Sequence, residues 1–288
     1  MARDPVQLAW LVLRRAPGLG LGPRRTLSLH LMSPTPDSLH RRFTQQARWT
    51  AAIRQRAFAE SGLRSARRVL EVGSGTGAIT TELRLGTRGL VVGLDRDHPS
   101  NTFAARGDAG TCFVTGLGEQ LAFPRATFDL ACCHFLLLWV ADPVALLREM
   151  RRVTVPGGAV LCLAEPDYGG RIDYPDGLVP LGRAQEGALR HQGADTRLGR
   201  RLRYLLHQAG LSRIQTGVLG GESPSATEGQ SDAEIDLEWQ TLAGDLEGEL
   251  SAAGLASLRE NLMSSRRQGS HVLYVPTFYG WGICPRAP

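Results

Sequence analysis

Three glycines two apart, Gly73, Gly75 and Gly77, stand in the run VLEVGSGTGAI, Val69 to Ile79. A short apolar stretch carrying Glu71 precedes them. Gly73 and Gly75 allow a tight turn and close approach of the backbone to a ligand, with Ser74 between them. Gly77 lets a following helix pack near the strand, and the start of that helix offers unpaired N–H groups. Asp95 closes the next apolar run, RGLVVGLD, about 20 residues further on, where an acid would hydrogen-bond a ribose diol. Gly73-x-Gly75-x-x-Ala78 also satisfies the dinucleotide fingerprint, so the loop alone is compatible with NAD, FAD or S-adenosylmethionine.

Two further groups could move protons. His134 ends the apolar run FDLACCH, and histidine titrates near neutrality. Glu165, Asp167, Tyr168, Asp173 and Tyr174 crowd into the segment EPDYGGRIDYP. Carboxylates beside a tyrosine suit proton removal from an amine or a polar hydroxyl.

These residues need elements to hold them. Ser38 can cap a helix running to Gly62, with Leu39, Phe43, Ala47, Ile53 and Ala57 on its apolar face. RRVLEVG, RGLVVGLD, TCFVTG, FDLACCHFLLLW and PGGAVLCLAEP read as strands, and TGAITTELRL and ADPVALLREMRRV as helices, the latter capped by Asp142. Pro99 fits the first turn of a short helix between the second and third strands. Such alternation predicts an α/β fold, a parallel sheet with helices on both faces and ligands at the carboxyl ends of the strands. Val179 to Gln192 and Thr196 to Ala209 read as helices, SRIQTGVLGG as a sixth strand, and Glu222 to Gln268 as mostly helical after an acidic loop. HVLYVPTFYGWGICP is a last strand interrupted at Pro276.

Composition bounds the reading. The 288 residues are 42% hydrophobic and 21% charged, ordinary for a globular chain. No apolar run reaches the length of a membrane-spanning helix. All 33 basic residues are arginine, which excludes Schiff-base or general-base lysine chemistry. Met1 to Arg68 is arginine-rich, whereas Ile214 to Leu258 holds acids and no arginine. The basic front is scattered and lacks an aromatic-studded RNA motif, so a nucleic-acid partner is not expected. The five cysteines, Cys112, Cys132, Cys133, Cys162 and Cys284, show no CxxC pair. Reduced, buried thiols in a cytoplasmic protein are expected, with neither a disulfide frame nor a metal site. The first 37 residues read as a peripheral extension, with an organelle transit peptide as the alternative.

LEVGSGTG, GLDRD, GEQLAFPRATFDLACCHFLLLW and DPVALLREMRRVTVPGGAVLCLAEP, in that order, resemble the class I S-adenosylmethionine-dependent methyltransferases. They are most similar to the bacterial small-molecule group that includes the ubiquinone/menaquinone-biosynthesis enzymes. The resemblance implies a Rossmann-like, doubly wound, seven-stranded sheet, mostly parallel, with an antiparallel last strand. It implies a methyltransferase domain over 38–288, comprising a cover helix at 38–62, a cofactor-binding half at 63–170, and helical substrate-side segments at 171–210 and 222–270, the latter acting as a lid. S-adenosylmethionine would be the cofactor and a small molecule the acceptor, with the chain a monomer or a homodimer. Glu71 would order the loop of Gly73, Ser74, Gly75 and Gly77, Asp95 would hold the ribose, and Arg96 would flank the adenine. Gly118 and Glu119 would lie at the adenine edge, and His134 and Phe135 beside the sulfonium. Trp49 on the cover helix would face the cofactor. His134, Asp167 and Tyr168 are the candidate catalytic residues. Leu117 stands where the family commonly carries an aspartate that accepts from the adenine amino group, which leucine cannot do. Cofactor binding without methyl transfer, and an RNA or protein acceptor, are the alternative readings.

Overall fold

The structure is a computed structural model that describes residues 35–219, 232–246 and 249–286. The expected cover helix is two helices, α1 (Pro36–Trp49) and α2 (Ala51–Glu60). The cap is Thr35 and not Ser38: the Thr35 hydroxyl accepts from the Ser38 amide at 3.2 Å, and Pro36 opens the first turn. The break falls at Thr50 (φ −112°, ψ 7°). The Arg54 guanidinium bridges it, donating to the Ala47 carbonyl and the Thr50 hydroxyl.

The alternating half follows as β1 (Arg68–Val72), α3 (Thr80–Gly86), β2 (Leu90–Asp95), α4 (His98–Gly107), β3 (Cys112–Thr115), β4 (Phe128–Cys133), α5 (Pro143–Val153) and β5 (Thr154–Pro166). Side-chain caps start two of its three helices, α4 and α5. Asp97 accepts from the Ser100 amide at 2.9 Å, and Asp142 accepts from the Ala145 amide at 2.9 Å. After β5 come β6 (Ile172–Tyr174), α6 (Val179–His191), α7 (Leu202–Gln208), β7 (Ser212–Val218), α8 (Asp232–Asp245), α9 (Ala252–Arg267), β8 (Val272–Tyr274) and β9 (Thr277–Ile283).

The main sheet has seven strands in the order β3-β2-β1-β4-β5-β9-β7. β9 runs antiparallel to both its neighbours; the other pairs are parallel. This is the expected mostly parallel sheet with an antiparallel last strand. Strand order reverses between β1 and β4, which opens a crevice at their carboxyl ends. Alternate residues feed two cores, one on each face. Leu70, Ala131 and Val160 join Leu146, Leu147 and Met150 of α5 on one side. Val69, Leu130 and Leu161 join Leu83 and Phe58 on the other.

The second half departs from the sequence pattern in two places. β6 and β8 form a separate antiparallel pair, Ile172 opposite Tyr274 and Tyr174 opposite Val272. Strands of three residues carry too little periodicity to be read in advance. The helix expected from Thr196 begins only at Leu202, after a 3₁₀ turn. Gly199 lies so close to β5 there that a Cβ would sit 2.5 Å from the Glu165 carbonyl oxygen. α8 and α9 pack with α6 around a third core of Leu178, Leu181, Ala188, Trp239, Leu246, Leu258 and Leu262. The acidic loop before α8 and most of the arginine-rich extension lie outside the described residues.

Candidate cofactor and acceptor site

The glycine loop is shaped by the end of β2. The amides of Gly73 and Ser74 donate to the Leu94 carbonyl at 2.7 and 3.1 Å, and the Gly75 amide donates to Asp95 Oδ2 at 2.8 Å. Gly73 (φ 75°) and Gly75 (φ 49°) occupy the left-handed region. A Cβ on Gly73 would approach Leu136 Cδ1 to 2.8 Å, and one on Gly75 would approach Phe43 Cε2 to 3.2 Å. The loop is thus a bare backbone cradle between α1 and the turn after β4. Ser74 is buried within it, and its hydroxyl has no hydrogen-bond partner. Gly77 turns towards α4 and β3, where a Cβ would meet Ala104 and Phe113.

Asp95 Oδ1 also accepts from the Asp97 amide at 2.8 Å. A carboxylate offers about four lone-pair directions, so two bonds from amides leave capacity for two more donors. Glu71 lies beneath the loop, fully buried, with Oε2 accepting from the Thr80 hydroxyl at 2.5 Å. Burial pushes its carboxyl up to about 8, so it is mostly protonated at neutral pH. Gly118 follows β3 where a Cβ would clash with Leu146 and Val72, while Arg96, Leu117 and Glu119 are exposed.

His134 follows β4 directly, and its Nε2 lies 2.8 Å from the Thr50 hydroxyl. Burial, and then the positive Arg54, lower its pKa to about 3. A group so weakly basic stays neutral at physiological pH, the form that can accept a proton, though with little driving force to do so. Phe135 next to it has φ 52°, an unfavourable left-handed conformation for an aromatic residue, and its amide donates to the Ala164 carbonyl at 2.9 Å.

Asp167 is held by an arginine. It is buried, and both its oxygens are taken by the Arg200 guanidinium, with Nη2 at 2.7 Å from Oδ1. The ion pair ties the end of β5 to the turn before α7, which is structural work. Tyr168 packs its ring against the larger core, and its amide donates to the Thr196 carbonyl at 2.9 Å. Trp49 is 58% exposed; the aromatic ring resting on the loop is Phe43.

Four contributors, Phe43, Thr50, Arg54 and His40, were not singled out from the sequence. Phe43 was read only as core, and Thr50 and Arg54 carry no motif. His40 Nδ1 lies 3.1 Å from the Thr76 hydroxyl, adding a second clasp from α1 to the loop. Glu165 is fully buried, with Oε1 accepting from the Leu136 and Leu137 amides at 3.3 and 3.1 Å and Oε2 without a partner. Burial pushes its carboxyl up to about 8. No group of histidines, cysteines and acids among the described residues could hold a metal ion, and no helix among them is long and apolar enough to cross a membrane.

Residues 70–162 match a family model described as a methyltransferase domain. A malonyl-acyl-carrier protein O-methyltransferase of Erwinia pyrifoliae is 33% identical over 121 residues, covering 42% of this chain and 46% of that protein. A demethylmenaquinone methyltransferase of Geobacillus kaustophilus is 33% identical over 128 residues, covering 42% and 53%. The match spans about half the length of these relatives. Among solved structures, the cyclase SpnF superposes with a TM-score of 0.52 at 18% identity, over 83% of this chain and 82% of that one. A phosphoethanolamine N-methyltransferase of Haemonchus contortus, in complex with phosphomonomethylethanolamine and S-adenosylhomocysteine, gives 0.50 at 14% identity, over 76% and 49%. At such identities these two show the fold. Residues 70–162 are therefore similar to a methyltransferase domain, and the sheet built around them has the fold of these solved structures.

Proposed function

We propose that the chain transfers a methyl group from S-adenosylmethionine to a small-molecule acceptor. The observation that carries the reading is the cradle of Gly73, Ser74 and Gly75 hung on Asp95, at the point where strand order reverses. S-adenosylmethionine supplies an activated methyl group on a positive sulfur, so the protein's task is alignment and exclusion of water.

The residues present fit that cofactor. Asp95 has two lone pairs left for a pair of ribose hydroxyls. The partnerless Ser74 hydroxyl fits a polar group of the ligand lying along the loop. Glu71 supports the loop from below through Thr80 and, largely uncharged, does so without placing a full negative charge there. Phe43 closes the cradle from α1. Leu117 offers no acceptor to the adenine amino group, so that contact falls to backbone carbonyls.

The relative named for demethylmenaquinone is consistent with a small acceptor. α6, α8 and α9, joined to α1 by the hydrogen bond from Gln45 Nε2 to Glu238 Oε1 at 3.2 Å, would shape the acceptor pocket. Calorimetric titration with S-adenosylhomocysteine and with NAD tests the reading: only the first should bind. Incubation with methyl-labelled S-adenosylmethionine and a metabolite mixture should then label a small product. Binding without label in any small product would leave a cofactor-binding protein or a macromolecular acceptor.

A further inference from the structure

The contacts of His134 with the cover helices define its protonation more closely than its position alone. Thr50 and Arg54 are both buried, 1% and 4% exposed. Arg54 is anchored by Glu82, with Nε and Nη2 each 2.8 Å from Oε2. Its Nη1 donates to the Thr50 hydroxyl and to the Ala47 carbonyl, both at 2.5 Å. An arginine only donates, so it occupies a lone pair of the Thr50 oxygen.

The single Thr50 proton then has two possible acceptors. One is the Ala47 carbonyl at 3.3 Å, already used by Arg54; the other is His134 Nε2 at 2.8 Å. The shorter contact, to the atom without another donor, takes the proton. Nε2 must then offer its lone pair, and the ring proton resides on Nδ1. The alternative, Nε2–H donating to Thr50, would also permit an imidazolium separated from the Arg54 guanidinium by one hydroxyl oxygen, an unfavourable pairing of like charges.

We propose that Arg54 and Thr50 are positioning residues that hold His134 in its Nδ1-protonated form, so that it serves as a hydrogen-bond donor to the methyl acceptor. This rests on the proposed function only for the identity of the ligand. A neutral N–H donor at the carboxyl end of β4 favours an acceptor that presents a carbonyl or ionised oxygen there, and disfavours an ammonium group. Arg54, with Glu82 behind it, is the ionised group brought to His134 through Thr50, and the Phe135 ring packs edge-on at 4.6 Å between centroids.

The test is a long-range ¹H–¹⁵N spectrum of the full chain labelled at histidine, recorded without ligand. His134 should show a protonated Nδ1 and an unprotonated Nε2 from pH 8 down to about pH 5. Thr50→Ser should keep that pattern, and Thr50→Val should shift the ring towards the Nε2-protonated form. A wild-type ring protonated on Nε2, an imidazolium at pH 7, or an unchanged pattern in a folded Thr50→Val protein would overturn the proposal. If Thr50→Val does not fold, the wild-type and Thr50→Ser spectra decide. Because no ligand is present, failure of S-adenosylhomocysteine to bind would remove the proposed function and leave this assignment standing.

Discussion

The half of the molecule that carries the glycine loop and the half built from α6, α8 and α9 are organised on different principles. In the first, polar groups are held by backbone and by one another: Asp95 by the Gly75 and Asp97 amides, Glu71 by Thr80, Arg54 by Glu82, Ala47 and Thr50. In the second, a small apolar core around Trp239 is rimmed by ion pairs such as Arg259 with Asp236 and Arg266 with Glu238. The family model reaches only the first. A shared cofactor demands fixed donors and acceptors, whereas an acceptor pocket is set by the shape of a core that can be repacked. On the proposed function, the common chemistry would lie in one half and selectivity in the other.

The sharpest way to break that division is to damage the second core. Trp239→Ala removes a large buried ring and should destabilise the protein by about 3–5 kcal/mol. At a temperature where it remains folded, its affinity for S-adenosylhomocysteine should equal that of the unaltered chain. A parallel loss of cofactor affinity would show that the halves are not separable. Asp95→Ala attacks the other side. Losing hydrogen bonds to a charged group costs about 1.5–3 kcal/mol, so calorimetry should show affinity falling roughly tenfold to hundredfold.

The buried carboxyls give the division a pH signature. Glu71 and Glu165 are both raised to about 8 when folded, from an ordinary value of 4.5. The folded chain therefore holds protons that the unfolded chain has released, and stability falls as pH rises through that window. His134, lowered to about 3, acts oppositely, costing stability as pH falls below 6.5. Between about pH 6.5 and 8 only the carboxyls contribute, each by up to about 1.4 kcal/mol per pH unit. Denaturant titrations of Glu165→Gln, which keeps an acceptor for the Leu136 and Leu137 amides, should show a shallower slope there. An unchanged slope would mean that Glu165 is ionised in the folded chain. The smallest expected effect is Trp49→Ala: at an exposed position it should change stability by less than about 0.5 kcal/mol. Its S-adenosylhomocysteine affinity should also be unchanged, whereas Phe43→Ala should weaken that affinity.

Much of the first half was legible because its signals are local. The spacing of Gly73 and Gly75, the acid closing β2 and the Asp142 cap each act within a few residues of where they stand. The site itself was less legible. Trp49 and Phe43 sit on the same helix, and both are aromatic; only the packing of α1 decides that Phe43 meets Gly75 while Trp49 faces solvent. Asp167 looked catalytic because it follows a strand, but Arg200, 33 residues away, claims its carboxylate.

Taken alone, the sequence determined an α/β sheet, the crevice beside β1 and the residues that shape its loop, because periodicity and backbone conformation are short-range properties. The tertiary structure decided which titratable groups could act there. Protonation depends on burial and on charges brought together from distant segments, and Arg54 meets His134 only because the cover helices fold back over the end of β4.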